Sequence, residues 1–255
     1  MDYKKIKQDL INFLKDEVKK AGVEKVTLGL SGGLDSAVVA VLCQEAFNNN
    51  LNCVLMPSSF SSKSSIDDAL LLCEKFNIKY EIVSIEPMLK AYINNMQDNF
   101  LRIGNFSARL RMSVLYDISA RENSLVVGTS NKSELLLGYG TIFGDLACAI
   151  NPIGEIYKSD LFDFARYLGV VENIINKAPS ADFYDGQSDE KDLGYSYKQI
   201  DTLLKLMIDK NLSKDELLTL EFDEIFIDTI YKRVKNNEFK RRLPQIAKIG
   251  DIWKI

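Results

Sequence analysis

The chain has 255 residues, a formal net charge of −4 and 46% hydrophobic residues, enough apolar material for a large core and an acidic balance that argues against broad nucleic-acid binding. It contains no histidine, which excludes Ser–His, Cys–His and His-metal chemistry and leaves carboxylates, lysines, arginines, hydroxyls, backbone donors and bound metal. The four cysteines, Cys43, Cys53, Cys73 and Cys148, form no CxxC pair and read as reduced core thiols.

The N-terminus, MDYKKIKQDL, is charged and lacks an apolar core segment, so no signal peptide is expected. No run approaches the ~20 apolar residues of a membrane span, and a cytoplasmic location follows as the default. Residues 2–20 place Ile6, Leu10, Phe13, Leu14 and Val18 at helical spacing, an amphipathic helix closed by Gly22. Residues 26–30, Val-Thr-Leu-Gly-Leu, are β-branched or apolar and uncharged, the signature of a short buried strand. Ser31, Gly32 and Gly33 turn the chain, and from Leu34 onward apolar residues lie on most faces of a buried helix. A second strand is expected over 53–56, closed by Pro57, and a serine-rich loop over 58–65. Ile66, Ala69, Leu70, Cys73 and Phe76 give the next helix, and 80–85 a third strand ended by Pro87. Residues 88–122 read as mostly helical with a break near Gly104, and 125–127 as a fourth strand before Gly128.

This alternation predicts an α/β fold, a doubly wound parallel sheet of about five strands flanked by helices, with right-handed crossovers. The polar, acidic stretch 178–195 is expected to be a functional lid or linker. Beyond it the chain reads as helical, with a capping box from Ser213 to Glu216. The expected organisation is a single domain over 1–255. It comprises an N-terminal helix (1–22), a nucleotide-binding core (23–170), a lid loop (171–195) and a mostly helical C-terminal part (196–255).

The strand–turn–helix unit at 26–36 carries the chemistry. It points backbone N–H groups and the positive end of a helix dipole at one spot. Gly32 and Gly33 have no Cβ, so an anion can approach the backbone, and Ser31 and Ser36 add hydroxyls. Asp35 sets a carboxylate beside that anion, which suggests an intervening Mg²⁺. The spacing is neither GxxxxGK[ST] nor GxGxxG. The loop at 128–134 also follows a strand, so both loops open on the crevice at the carboxyl ends of a parallel sheet.

Ser31-Gly-Gly-Leu-Asp-Ser36 after an apolar strand resembles the pyrophosphate loop of the ATP pyrophosphatases, which cleave ATP between the α and β phosphates. Four more stretches resemble one branch of them, the NAD synthetases, in its ammonia-using form. They are Asn105-Phe-Ser-Ala-Arg-Leu-Arg-Met112, Gly128-Thr-Ser-Asn-Lys-Ser-Glu134, Gly138-Tyr-Gly-Thr-Ile-Phe-Gly-Asp145, and Pro179-Ser-Ala-Asp-Phe with Gly186-Gln-Ser-Asp-Glu190. The five lie in that family's order and spacing over nearly the whole chain.

The resemblance implies ATP- and Mg²⁺-dependent amidation of deamido-NAD by ammonia in a homodimer, with no nucleic-acid or membrane partner. The nicotinate carboxylate attacks the α-phosphate, pyrophosphate leaves, and ammonia displaces AMP from the acyl adenylate. The glutamine-using form carries an added nitrilase-like domain, for which the chain leaves no room. Residue by residue, the resemblance implies ATP contacts by Gly29, Leu30, Ser31, Gly32, Gly33, Leu34, Asp35, Ser36, Thr129, Lys158 and Ser180. It implies magnesium ligation by Asp35 and Glu134, and deamido-NAD contacts by Asn105, Arg109, Phe239 and Lys240. Catalytic roles fall to Asp35, Lys158 and Asp145, the last near the reacting carboxylate. Arg111 is expected to be structural or at the dimer contact.

The sequence departs from the family pattern at Ile142 and Ala149, where many relatives carry lysine and aspartate. Phe239-Lys240 stands for a usual His-Lys pair, and Leu55 for an arginine after the second strand. Two competing readings are amidation or thiolation of another nucleotide or tRNA, and a nucleotide-binding regulator without turnover. The acidic balance and unpaired cysteines disfavour the first. Asp35, Glu134 and Lys158 together disfavour the second.

Overall fold

A computed structural model describes residues 1–96, 99–180, 188–220 and 222–247. Four parallel strands form the central sheet: β1 (Lys25–Gly29), β2 (Leu51–Leu55), β3 (Tyr80–Ile82) and β4 (Ser124–Val127), in the order β3-β2-β1-β4. The chain steps outward from β1 through β2 to β3, then returns to the other side of β1. The switch point therefore lies between β1 and β4, where a crevice opens beyond the strand ends. Val26 and Leu28 are fully buried, as expected of a strand covered on both faces.

Helices lie on both faces. One face is covered by α1 (Tyr3–Lys20), α2 (Leu34–Phe47), α3 (Lys63–Phe76), α7 (Lys158–Leu168) and α8 (Glu172–Ile175). The buried stretch Leu34–Cys43 explains why α2 is apolar all round, since α1, α7 and β1 pack against it. The other face is covered by α5 (Phe100–Glu122), through Met112, Leu115 and Ile118 against Val54 and Val126, with α4 (Glu86–Ile93) at its side. A further core gathers Leu137 of α6 (Lys132–Leu137) with Leu193 of α9 (Asp189–Leu193), Leu203 of α10 (Tyr197–Leu204), Leu217 of α11 (Lys214–Leu218) and Ile230 of α12 (Glu224–Asn236). The capping box at Ser213 and Glu216 is present at the start of α11.

Several expectations need correction. Among the described residues the sheet has four strands, not about five, and Ile150 adds only an isolated bridge to Val127. In α1 the buried stripe runs through Ile11, Leu14 and Val18, while Phe13 is turned partly to solvent. α5 passes through Gly104 unbroken, and the real break lies before Phe100, where Asn99 accepts from Arg102 N as an N-cap. β3 stops at Ile82, because Ser84 turns back to donate to Pro57 O at 3.1 Å and α4 starts two residues later. The serine-rich stretch is loop only to Ser62, which caps α3. The segment 171–195 is not loop throughout: it holds α8 and α9, and residues 181–187 lie outside the described residues.

Candidate functional site

A cavity of about 790 Å³ opens at the carboxyl ends of β1 and β4, between the two strand loops. Its first wall is the turn into α2. Gly32 has φ 80°, and a Cβ there would run into the Ser65 backbone carbonyl. Ser36 Oγ accepts from Ser31 N at 3.3 Å and donates to Gly33 O at 3.1 Å, which ties the turn to the first helical residues. Gly33 caps α2 with no side-chain acceptor, so among the described residues no side-chain cap covers the first-turn N–H groups, which a ligand can take.

The second wall is the loop after β4. Asn131 begins α6 with a complete capping box. Its Oδ1 accepts from Glu134 N at 3.0 Å, and Glu134 Oε2 accepts from Asn131 N at 3.2 Å. Asn131 Nδ2 then donates to Asp35 Oδ1 at 2.7 Å, which fixes the Asp35 carboxylate relative to Glu134. Lys158, the first residue of α7, reaches between them. Its ammonium pairs with Asp35 Oδ2 and stands 3.6 Å from Glu134 Oε1. Composition would put a helix-start lysine at the surface, yet Lys158 is 3% exposed.

Burial pushes the Glu134 carboxyl well up, the Asp35 charge adds to this, and the Lys158 ammonium opposes it. Burial favours losing the Lys158 proton, but Asp35 and Glu134 more than offset that and hold it above its ordinary value. Lys158 therefore stays an ammonium between two carboxylates. Asp35 and Glu134 fit a hard dication that keeps several waters, since such an ion needs one or two carboxylates plus substrate phosphates. Among the described residues no cluster of three or more potential metal ligands is present, so the site is not an all-protein cage.

The third wall is the 138–146 turn under α5. Asn105 Oδ1 accepts from Thr141 Oγ1 at 2.7 Å, and Asp145 Oδ1 accepts from Thr141 N at 2.9 Å. Burial raises the Asp145 carboxyl, opposed by that backbone bond. Lys240 donates to Gly138 O at 2.8 Å and to Gly140 O at 3.0 Å. Arg241 donates to Leu135 O and Leu136 O, and Arg233 to Leu137 O, so three cations close the carbonyl end of α6.

Of the sequence-derived positions, Gly29, Leu30, Ser31, Gly33, Leu34, Asp35, Ser36, Asn105, Thr129, Glu134, Asp145, Lys158, Ser180 and Lys240 meet at this one cavity. Gly32 shapes the turn behind it. Arg109 lies apart, donating to Ile142 O at 3.3 Å and lining an adjoining pocket with Arg102 and Phe106. The two pockets share Asn105, Gly140, Thr141 and Lys240. Phe239 is 60% exposed and lines neither. Leu55, the last residue of β2, is buried and lines the cavity, so it puts an apolar side chain where relatives place an arginine. Arg111 does line the cavity, donating to Met56 O at 3.1 Å. Sequence reasoning missed Lys177, Asp189 and Tyr139. Lys177 donates to Ser65 Oγ at 2.7 Å, and Tyr139 OH is shared between Asp189 and Asp192 at 3.1 Å each. The Gln-Ser-Asp-Glu motif was the available signal for Asp189.

Known proteins are similar to this chain in sequence and fold. The NAD synthase family model matches residues 6–244. An "NH(3)-dependent NAD(+) synthetase" of Helicobacter pylori is 54% identical over 252 residues, 97% of both chains. Among solved structures, an "NH3-dependent NAD synthetase" of Campylobacter jejuni, in complex with the nitrate ion, is 44% identical with a TM-score of 0.84. It covers 97% of this chain and 100% of that one. An "NMN synthetase" of Francisella tularensis is 33% identical with a TM-score of 0.85, covering 97% and 99%. With a family model over nearly its full length and relatives above half identity, the chain belongs to the NAD synthase family.

Proposed function

We propose that this protein is an ATP-dependent C–N ligase that amidates deamido-NAD to NAD with ammonia. The observation that carries the reading is the meeting of Asp35, Glu134 and Lys158 beside a glycine-led, uncapped helix start in one cavity. The N–H groups of that helix start take phosphate oxygens, and Lys158 follows the charge that builds on the departing pyrophosphate. Asp35 and Glu134 hold Mg²⁺, which when bound neutralises phosphate charge and lets an anionic carboxylate approach the α-phosphate. Attack forms the C–O–P linkage of an acyl adenylate and breaks the bond to pyrophosphate. Ammonia then adds to the acyl carbon, AMP leaves, and the amine proton goes to a nearby carboxylate. Asp145, lining the cavity from the 138–146 turn, is our assignment for that acceptor.

Asn105, Arg109 and Lys240 surround the junction of the two pockets and hold the dinucleotide. Thr129 and Ser180 contact ATP from the rim. Phe239, exposed, stacks on a ring only if the C-terminal segment moves inward. Tyr92, which lines the second pocket, is exposed, as are Phe100, Leu101, Tyr116 and Phe143, and these exposed apolar side chains support a homodimer. No helix among the described residues is long and apolar enough to cross a membrane. Four free cysteines, three of them buried, accord with the cytoplasm as the site of action.

A second reading takes the corresponding acid mononucleotide as substrate. It is favoured by the likeness to the NMN synthetase structure and by Ile142, which puts an apolar side chain in the second pocket. Purified protein with ATP, Mg²⁺ and ammonium, offered deamido-NAD or nicotinate mononucleotide and assayed by mass spectrometry, decides between them. NAD plus AMP from the dinucleotide is expected, with glutamine unable to replace ammonium. NMN in place of NAD would select the second reading, and no product from either would overturn both.

A further inference from the structure

The residue that carries Lys158 into the site has an unusual helix start. Tyr157, at the N-cap of α7, offers no side-chain acceptor, so the first N–H groups need partners from elsewhere. Lys158 N donates to Ser133 Oγ at 2.9 Å. The Ser133 hydroxyl in turn donates to Asp201 Oδ1 at 2.5 Å, and Ser159 N donates to Asp201 Oδ2 at 2.7 Å. One carboxylate from α10 thus caps α7, directly at one N–H and through a serine at the other. Asp201 is 1% exposed and Ser133 is fully buried. Ser133 is also the residue before Glu134 on α6. The same carboxylate therefore fixes the two helices that present the ammonium and the second carboxylate of the site.

We propose that Asp201, acting through Ser133, is a positioning residue that holds Lys158 and Glu134 in register for ATP activation. It works from behind the cavity and lines neither pocket. The inference rests on the reading of Lys158 as an ATP contact. The physical need is plain. A lysine has a flexible four-carbon stem, so its ammonium is only as well placed as its backbone. A misplacement on the order of 1 Å can cost about 10²-fold in rate. Burying a carboxylate is unfavourable unless its oxygens are bonded, and here both are used on this one junction.

The test is a double-mutant cycle of Ser133→Ala with Lys158→Ala, read on MgATP affinity by calorimetry and on turnover. Ser133→Ala removes one oxygen and keeps the Asp201–Ser159 bond. In the wild-type background it should lower turnover by about tenfold and weaken MgATP by about threefold or more. On the Lys158→Ala background the further loss should stay below about twofold in both readouts, because the register being held is that of Lys158 against Glu134 and it no longer exists. Equal losses in the two backgrounds would mean a purely structural role and overturn the proposal. Asp201→Asn should reproduce the Ser133→Ala pattern; if that variant does not fold, Ser133→Ala alone decides. If wild-type protein forms no NAD, the amidation reading fails, and the cycle on MgATP affinity still decides this proposal. No weakening of MgATP by Lys158→Ala would overturn it as well.

Discussion

Two strand–loop–helix junctions sit side by side at the carboxyl ends of β1 and β4, and they solve the helix-start problem in opposite ways. At residues 30–36, Gly33 supplies no side-chain cap, so among the described residues no side-chain cap competes with an anion for the N–H groups of the α2 start. At residues 128–134, Asn131 and Glu134 satisfy each other's backbone donors in a capping box, and the junction shows the cavity a carboxylate instead. One junction is a donor surface and the other an acceptor surface, built from the same supersecondary unit. Asn131 joins them. Its carbonyl belongs to its own helix, and its amide group reaches Asp35 across the switch point. The lesson is that a helix N-terminus binds phosphate only if the sequence leaves it unfinished.

The comparison can be broken at each junction. The largest effect is expected from Asp35→Asn, which should cost about 10²-fold or more in NAD formation while leaving the fold largely intact. Near-normal turnover would remove Asp35 from the metal assignment. Gly32→Ala comes next. It forces a Cβ against the Ser65 carbonyl at positive φ and should lower stability by about 2 kcal/mol as well as abolish measurable MgATP binding. Gly22→Ala is its control: φ is also positive but the space is open, so urea titration should show only about 1 kcal/mol. Lys158→Ala, which removes the charge shared by the two junctions, should lower turnover tenfold or more, about 1.4 kcal/mol. Asn131→Ala should cost about 1 kcal/mol of stability from the lost cap and raise the Mg²⁺ concentration needed for half-maximal rate. A variant with unchanged Mg²⁺ requirement would show that the junctions work independently.

The smallest effect lies outside both junctions. Burial pushes the Cys73 thiol on α3 up to about 11. Its folded value is raised, so its contribution is complete below the unfolded value of about 8.5 and is lost as pH rises toward 11. Stability from urea titration should fall across that window, and Cys73→Ala should flatten the slope. An unchanged slope would locate the alkaline loss in other groups.

The first junction was legible because its physics is local. A buried parallel strand reads as an apolar run, and two glycines between serines announce the turn. β3 was read too long, since Val83 N still bonds Leu55 O at 2.9 Å although the regular ladder has ended. Gly104 was read as a break, yet it is buried within α5, where tertiary packing outweighs its poor helix propensity. The backbone partners at the Lys158 helix start and those of the α6 carbonyls were not legible. Asp201 meets Ser133 across 68 positions, and Lys240 meets Gly138 across 102. No local pattern marks a carboxylate that caps another helix, or a lysine held by backbone carbonyls. Phe239 was carried over by resemblance alone, and it stands 60% exposed and outside both pockets.

The grip of Arg233, Lys240 and Arg241 on the carbonyl end of α6 also sets an order of events during synthesis. Arg233 follows Leu137 by 96 residues, so the strand loops leave the ribosome long before the cations that finish α6. Until those cations arrive, this six-residue helix has only its local Gly138 cap on Glu134 O and Leu135 O, its Leu136 and Leu137 carbonyls lack their side-chain partners, and a helix so short does not hold itself together in water. The sheet can therefore assemble first, while the helix bearing Glu134 matures only once the distal segment docks. Competence for chemistry is thereby deferred until the distal part of the chain has folded.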